Sequence, residues 1–228
     1  MHQEPNLRNA QRCKVIACAT VIEEMLPMMP KEMKYEILDF GLHIKPEALK
    51  IKLQESVFAS SKEADTILLG YGLCSQAVVG LKAENCTLVI PRVDDCIALF
   101  LGSVEAYKEQ HNKAPGTYYL TKGWIEVGDT PFDEYESMIN KYGKQKADCI
   151  FHQILKNYTR IAFISTGPKG LEKYSTQARN IAEKFNLKFE EIPGSDCITR
   201  QLIQGPWDDR FVVAKPGQII SFKDFRQD

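Results

Sequence analysis

The chain has 228 residues, 44% of them hydrophobic and 26% charged, with a formal net charge of -1. That apolar supply fills the core of one large α/β domain or of two small lobes, and the near-neutral balance gives no global attraction to nucleic acid or to an anionic membrane. Residues 1–12 lack the apolar core of a signal peptide and no apolar run approaches the roughly 20 residues that span a bilayer, so a cytoplasmic protein with no nucleic-acid or membrane partner is expected.

In chain order, strand-like runs alternate with helical segments, the pattern of a mostly parallel open sheet with Rossmann-like crossovers. Cys13–Cys18 reads as the first strand, and Thr20 to Met25 starts a helix that Pro27 and Pro30 keep short. Tyr35 to Phe40 alternates like a strand and ends at Gly41, Leu42 and His43, after which Pro46 suits the first turn of a helix through about Leu53. Thr66 to Gly70 is nearly all apolar, as in a strand buried on both faces, and the following segment from Tyr71 to Leu81 is expected to turn into a helix near Cys74. Thr87 to Pro91 repeats the device, with Asp94 or Asp95 available to cap a helix beginning near Cys96.

Pro115 to Glu126 has a strand-like centre bounded by Gly116 and Gly123. Thr130 then offers an N-cap, with Pro131 in the first turn, for a long helix to about Tyr158 that is expected to join two lobes, 1–128 and 129–228. The remainder reads as strand Arg160 to Ser165, helix Leu171 to Phe185, strand Leu187 to Ile192, a helix from Ser195 and strand Phe211 to Ala214.

Cys18, Cys74 and Cys96 each stand where a strand-like run stops, and His43 stands beyond another such end. Ligands bind outside the carboxyl ends of the strands of an open α/β sheet, so these side chains are candidates for one Cys3His metal site. Thiolates suit an iron–sulfur cluster or zinc, although no CxxC pair makes the motif specific. The competing expectation is that they pack as small hydrophobes. Seven cysteines in a chain this long fit reduced thiols better than a disulfide framework. Cys13, Cys86 and Cys149 read as structural, while Cys197, beyond the Ser195 cap, reaches the same crevice only if the lobes face each other.

Arg92 and Asp95 flank the Cys96 junction as candidate cofactor-binding groups, against a salt bridge and a helix cap as the plainer reading. Tyr71 is a third candidate, with Tyr119, Thr121 and Trp124 as further pocket walls, and Glu23 and Glu24 as acid or base candidates. The glycines of GYGLCS lack the third glycine of a dinucleotide fingerprint and STGPKG lacks the P-loop lysine pattern, leaving an anion site on the loop from Ser165 to Gly170 as a weaker expectation.

The runs YGLCSQAVVGL, LVIPRVDDCIALFLGS and GTYYLTKGWIE, with ACATVIEEM and GLHIKPEAL, resemble the DUF1638 family. The resemblance covers Cys18, His43, Cys74, Asp95 and Cys96; where members often carry histidine before the Asp-Cys pair, this chain has Asp94. It implies membership of a family that occurs mainly in anaerobic microbes and is often encoded near corrinoid-dependent methyltransferase systems. The resulting expectation is a metal- or cluster-binding redox protein with a corrinoid protein or methyltransferase as partner. Two alternatives stand beside it: a non-catalytic accessory protein that binds or reactivates a corrinoid or other cofactor, and a metal-free small-molecule-binding protein.

Overall fold

A computed structural model describes residues 12–73, 76–127, 130–166 and 170–226. The described chain divides into two compact units, one running to Val104 and resuming at Asp196, the other spanning Glu105–Ser195.

The first unit is built on a five-stranded sheet. Its strands are β1 (Cys13–Cys18), β2 (Lys34–Leu38), β3 (Thr66–Leu69), β4 (Thr87–Pro91) and β8 (Phe211–Ala214), in the order β2-β1-β3-β4-β8. All neighbours run parallel except β8, which returns antiparallel along β4. Val15, Ile16 and Ala17, Ile67 to Leu69, and Leu88 to Ile90 are fully buried, which is why these strands read as unbroken apolar runs rather than as alternating ones. After β1 comes α1 (Ala19–Met25), which passes into a 3-10 turn at Pro27. After β2 comes a 3-10 helix, Phe40–Ile44, entered through Asp39, whose carboxylate accepts the Gly41 N–H at 2.7 Å, and then α2 (Pro46–Ser60). Beyond β4 lies α3 (Cys96–Leu101), ended by Gly102 in the left-handed region.

The second unit carries the all-parallel sheet β5-β6-β7, formed by Thr117–Leu120, Arg160–Ser165 and Lys188–Pro193. Helix α4 (Val104–Lys113) leads into β5 and α5 (Lys122–Val127) leads out of it; α6 (Pro131–Tyr142) and α7 (Lys144–Leu155) precede β6, and α8 (Glu172–Lys184) precedes β7. Phe132, Tyr135, Phe151 and Phe185 pack as an aromatic cluster over Leu120, Ile161 and Phe163. Helix α9 (Cys197–Gln204) belongs to the first unit and leads into β8.

Three expectations change. The long connecting helix is two helices, broken at Gly143, whose φ of +78° a helix cannot contain, and both pack inside the second unit. The division expected between 128 and 129 falls inside that unit, since β5 pairs with β6, while β8 joins the first unit's sheet. Among the described residues no α-helix lies between β3 and β4. Gln76 and Gly80 take positive φ, and the C-terminal segment pairs the backbone there instead, Gly80 N–H donating to Ile220 O at 2.7 Å and Ile220 N–H to Leu81 O at 2.9 Å. No helix among the described residues is long and apolar enough to cross a membrane.

Candidate functional site

The strand order fixes where a ligand crevice opens. From β1 the chain crosses to β2 on one side, then passes back over β1 to lay β3 on the other, so the switch point lies between the carboxyl ends of β1 and β3. Cys18 is the last residue of β1, in an extended conformation before α1, and it is buried. The β1/β3 register pairs Ile16 with Leu69, and continued by two residues it sets Cys18 level with Tyr71.

Backbone contacts then draw the neighbouring junctions together. Gly70 donates its N–H to Ile16 O at 2.9 Å, and a Cβ there would stand 2.6 Å from the Ala17 Cβ. Gly72 lies so close to the β4 loop that a Cβ would meet the Val93 carbonyl oxygen at 2.5 Å, and the next residue, Leu73, donates its N–H to that same oxygen at 2.8 Å. The chain immediately before position 74 is thus tied to the β1 end on one side and to the chain just before Cys96 on the other. Cys74 itself lies outside the described residues, and so does its side chain's placement.

Cys96 is the half-buried first residue of α3. Asp95 caps that helix, its carboxylate accepting from Ile97 N–H at 2.8 Å and from Ala98 N–H at 3.2 Å. Burial pushes the Asp95 carboxyl above its ordinary value, against the pull of those two N–H bonds. The helix-cap expectation for Asp95 therefore holds, whereas the salt bridge expected for Arg92 does not form among the described residues. Arg92 donates its backbone N–H to Arg210 O at 2.7 Å, and its Nε is buried without a hydrogen-bond acceptor among the described residues.

His43, on the 3-10 helix after β2, faces Tyr71 across the sheet end with ring centroids 6.0 Å apart and planes at 30°, an offset stack. Tyr71 is 2% exposed. Cys18, Tyr71, Arg92, Asp95, Cys96 and His43 are all carried by segments at the carboxyl ends of β1 to β4. Yet among the described residues no group of three or more His, Cys, Asp and Glu side chains is arranged to hold a metal ion.

The Cys197 thiol donates to Gly102 O at 3.1 Å, at the far end of α3, about 9 Å along the helix axis from Cys96 at 1.5 Å rise per residue. Tyr119, Thr121 and Trp124 belong to the second unit, where the Trp124 side chain packs on the aromatic core and its backbone N–H donates to Thr121 Oγ1 at 3.4 Å. Glu23 and Glu24 are half-buried on α1. The centre of the loop from Ser165 to Gly170 lies outside the described residues. Gly70, Gly72 and Val93 were not singled out in the sequence as parts of this site; the closely spaced Gly-Tyr-Gly after an apolar strand was the available signal.

Fold and site together define an α/β protein with Cys18 and Cys96 at the carboxyl edge of a mostly parallel sheet. The chain belongs to the DUF1638 family, described as proteins of unknown function, whose model matches residues 37–203. His43, Cys74, Arg92, Asp95 and Cys96 lie within the match and Cys18 precedes it. No curated protein and no solved structure matches the chain.

Proposed function

We propose that the β1/β3 edge of the five-stranded sheet binds a soft metal centre, either an iron–sulfur cluster in a redox role or a redox-inert zinc ion, through Cys18, Cys74 and Cys96, with His43 as a further ligand. The observation that carries the reading is the pair of backbone ties, Gly70 to Ile16 and Leu73 to Val93, which draw together the chain at or just before all three cysteines at the switch point. Three thiolates fit soft metals, and a cluster so held would keep one iron open to a ligand. Asp95 fixes the start of α3 and so the backbone of Cys96. The resemblance of the cysteine-bearing segments to the family supports a place beside corrinoid-dependent methyl transfer, with a corrinoid protein or methyltransferase as partner.

Anaerobic purification followed by metal analysis and an absorption spectrum tests this, with Cys18→Ala, Cys74→Ala and Cys96→Ala made singly. Brown, iron-containing protein that bleaches in each variant supports a cluster, and stoichiometric zinc lost in each variant supports a zinc site. Metal-free protein indifferent to all three changes sinks the reading. Mixing with a corrinoid protein and following the corrinoid spectrum tests the partner.

A second reading is favoured by Arg92. A guanidinium whose Nε is buried without an acceptor among the described residues suits a crevice that takes an anionic small molecule or cofactor, with no metal and no reaction at the thiols. Metal-free protein that binds an anion and loses it on Arg92→Ala supports that reading over the first.

A further inference from the structure

Helix α2 covers the five-stranded sheet with Leu49, Leu53 and Val57, all fully buried. An amphipathic surface helix would be polar on its other side. Here the outward side carries Ile51, 61% exposed, and Phe58, 53% exposed, two turns apart on one stripe. Glu47 lies one turn before Ile51 and is exposed, and Lys62, in the turn that follows the helix, reaches back over the Phe58 ring with its Nζ 4.6 Å from the centroid. The stripe therefore reads acidic, apolar, apolar, basic from end to end, with spacings that keep all four residues on one face.

That sequence is its own complement when reversed. A two-fold axis passing between Gln54 and Glu55 sets Ile51 against the partner's Phe58, and Glu47 against the partner's Lys62, on both sides of the axis. Glu55, nearest the axis, is already paired with Lys52 on its own helix at 3.6 Å, which tempers its repulsion from the partner's Glu55. Antiparallel alignment also opposes the two helix dipoles. The apolar surface continues sideways, since Ile51 shares a groove with Ile37 and Leu42 beside β2, the edge strand of the sheet. An isologous interface needs this kind of self-complementary patch.

We propose that this face of α2 is the contact of a two-fold homodimer, with a second copy of the chain packed antiparallel along the stripe. A partner of opposite pattern would also have to run acidic, apolar, apolar, basic, which is the stripe the chain already carries. The inference does not depend on any metal at the switch-point crevice.

Sedimentation velocity on the full chain across a micromolar concentration range tests it. The expected mass is twice that of the 25.9 kDa chain. Phe58→Glu and Ile51→Glu, each checked by circular dichroism for an unchanged fold, are expected to give monomer. Glu47→Lys and Lys62→Glu singly are expected to weaken the dimer about tenfold by placing like charges together at both ends, and the double reversal to restore it to within about twofold. A wild-type monomer throughout the range, or a dimer indifferent to Phe58→Glu and Ile51→Glu, overturns the proposal. So does a dimer weakened by both single reversals and not restored by the double.

Discussion

Leu73 donates its backbone N–H to the Val93 carbonyl at 2.8 Å, joining the loop after β3 to the loop after β4 before either cysteine-bearing segment begins. The contact forms because Gly72 has no side chain: a Cβ there would stand 2.5 Å from the Val93 oxygen and 2.8 Å from its Cγ2. Part of that obstacle is backbone, which cannot swing aside as a side-chain end does. Gly72→Ala is therefore expected to cost about 1–3 kcal/mol, as overpacking does, and to lower metal uptake with it. Urea unfolding and metal analysis of the same samples check both, and a variant unchanged in each removes the tie from the argument.

Asp95 links the crevice to pH. Its carboxyl is raised by burial, so the folded protein holds that proton more tightly than the unfolded chain does. Stability from the proton is complete below the ordinary aspartate value and is lost as pH rises through the raised folded value. Asp95→Asn keeps an acceptor for the Ile97 N–H and cannot ionise. Relative to wild type it should gain stability as pH climbs from about 4 toward neutrality, while Asp95→Ala loses the cap, about 1 kcal/mol, at every pH. Unfolding curves measured from acid to neutral pH that run parallel for wild type and Asp95→Asn would contradict this.

The strands were legible because a largely apolar run is a signature that needs no partner: β1, β4, β6 and β8 begin and end at the residues expected for them, even though Val213 of β8 is 41% exposed. The Asp95 cap and the Thr130 entry to α6 were equally local, the latter now seen in Asp133 accepting from Thr130 N–H at 3.1 Å. What the sequence hid depends on contacts between distant segments. Nothing in Phe211–Ala214 says that it pairs with β4 rather than with its neighbours in sequence. The segment from Gln76 to Leu81 looks helical until Ile220 claims its backbone. Of the site, the cysteines, His43 and Asp95 were visible as residue types at strand ends. The glycine contacts that bring the junctions together carry no side chain to betray them.

Among the described residues of the second unit Arg160 is the charged group buried deepest, and its partners make a sharp prediction. It is 4% exposed, donates from Nε to Thr117 Oγ1 at 2.9 Å and from a terminal nitrogen to Gln110 at 3.2 Å, and pairs with Glu190, which Lys113 also reaches at 2.6 Å. Glu190→Ala strands the guanidinium in the interior. Because Glu190 itself is about a third exposed, the loss is expected to be on the order of 2–3 kcal/mol, below that of a fully buried pair. Replacing both, Arg160→Met with Glu190→Ala, should cost less than the single change, since no buried charge is left unpaired. Denaturant midpoints of the two variants decide it, and a double variant worse than the single would show that Arg160 contributes by more than its pairing.

Thiol labelling separates the structural cysteines from the proposed ligands. Cys86 is 1% exposed, and burial first, with the Glu84 charge second, pushes its thiol up to about 11. At pH 8 its reactive thiolate is then on the order of one part in a thousand, so it should resist iodoacetamide in the native protein. Burial raises Cys13 as well, ahead of the effects of Thr66 and Asp65. Cys149, exposed on α7, and Cys197, exposed at the start of α9, should be alkylated before the others. Half-buried Cys96 is the informative site: it should label readily in protein stripped by a chelator and be protected in protein purified anaerobically with its metal. Cys149, which no reading places near a ligand, should label at the same rate in both samples. Mass spectrometry of each cysteine-bearing peptide over time measures all of these rates together. Equal labelling of Cys96 with and without metal would remove it from the ligand set, and rapid labelling of Cys86 in folded protein would contradict its burial.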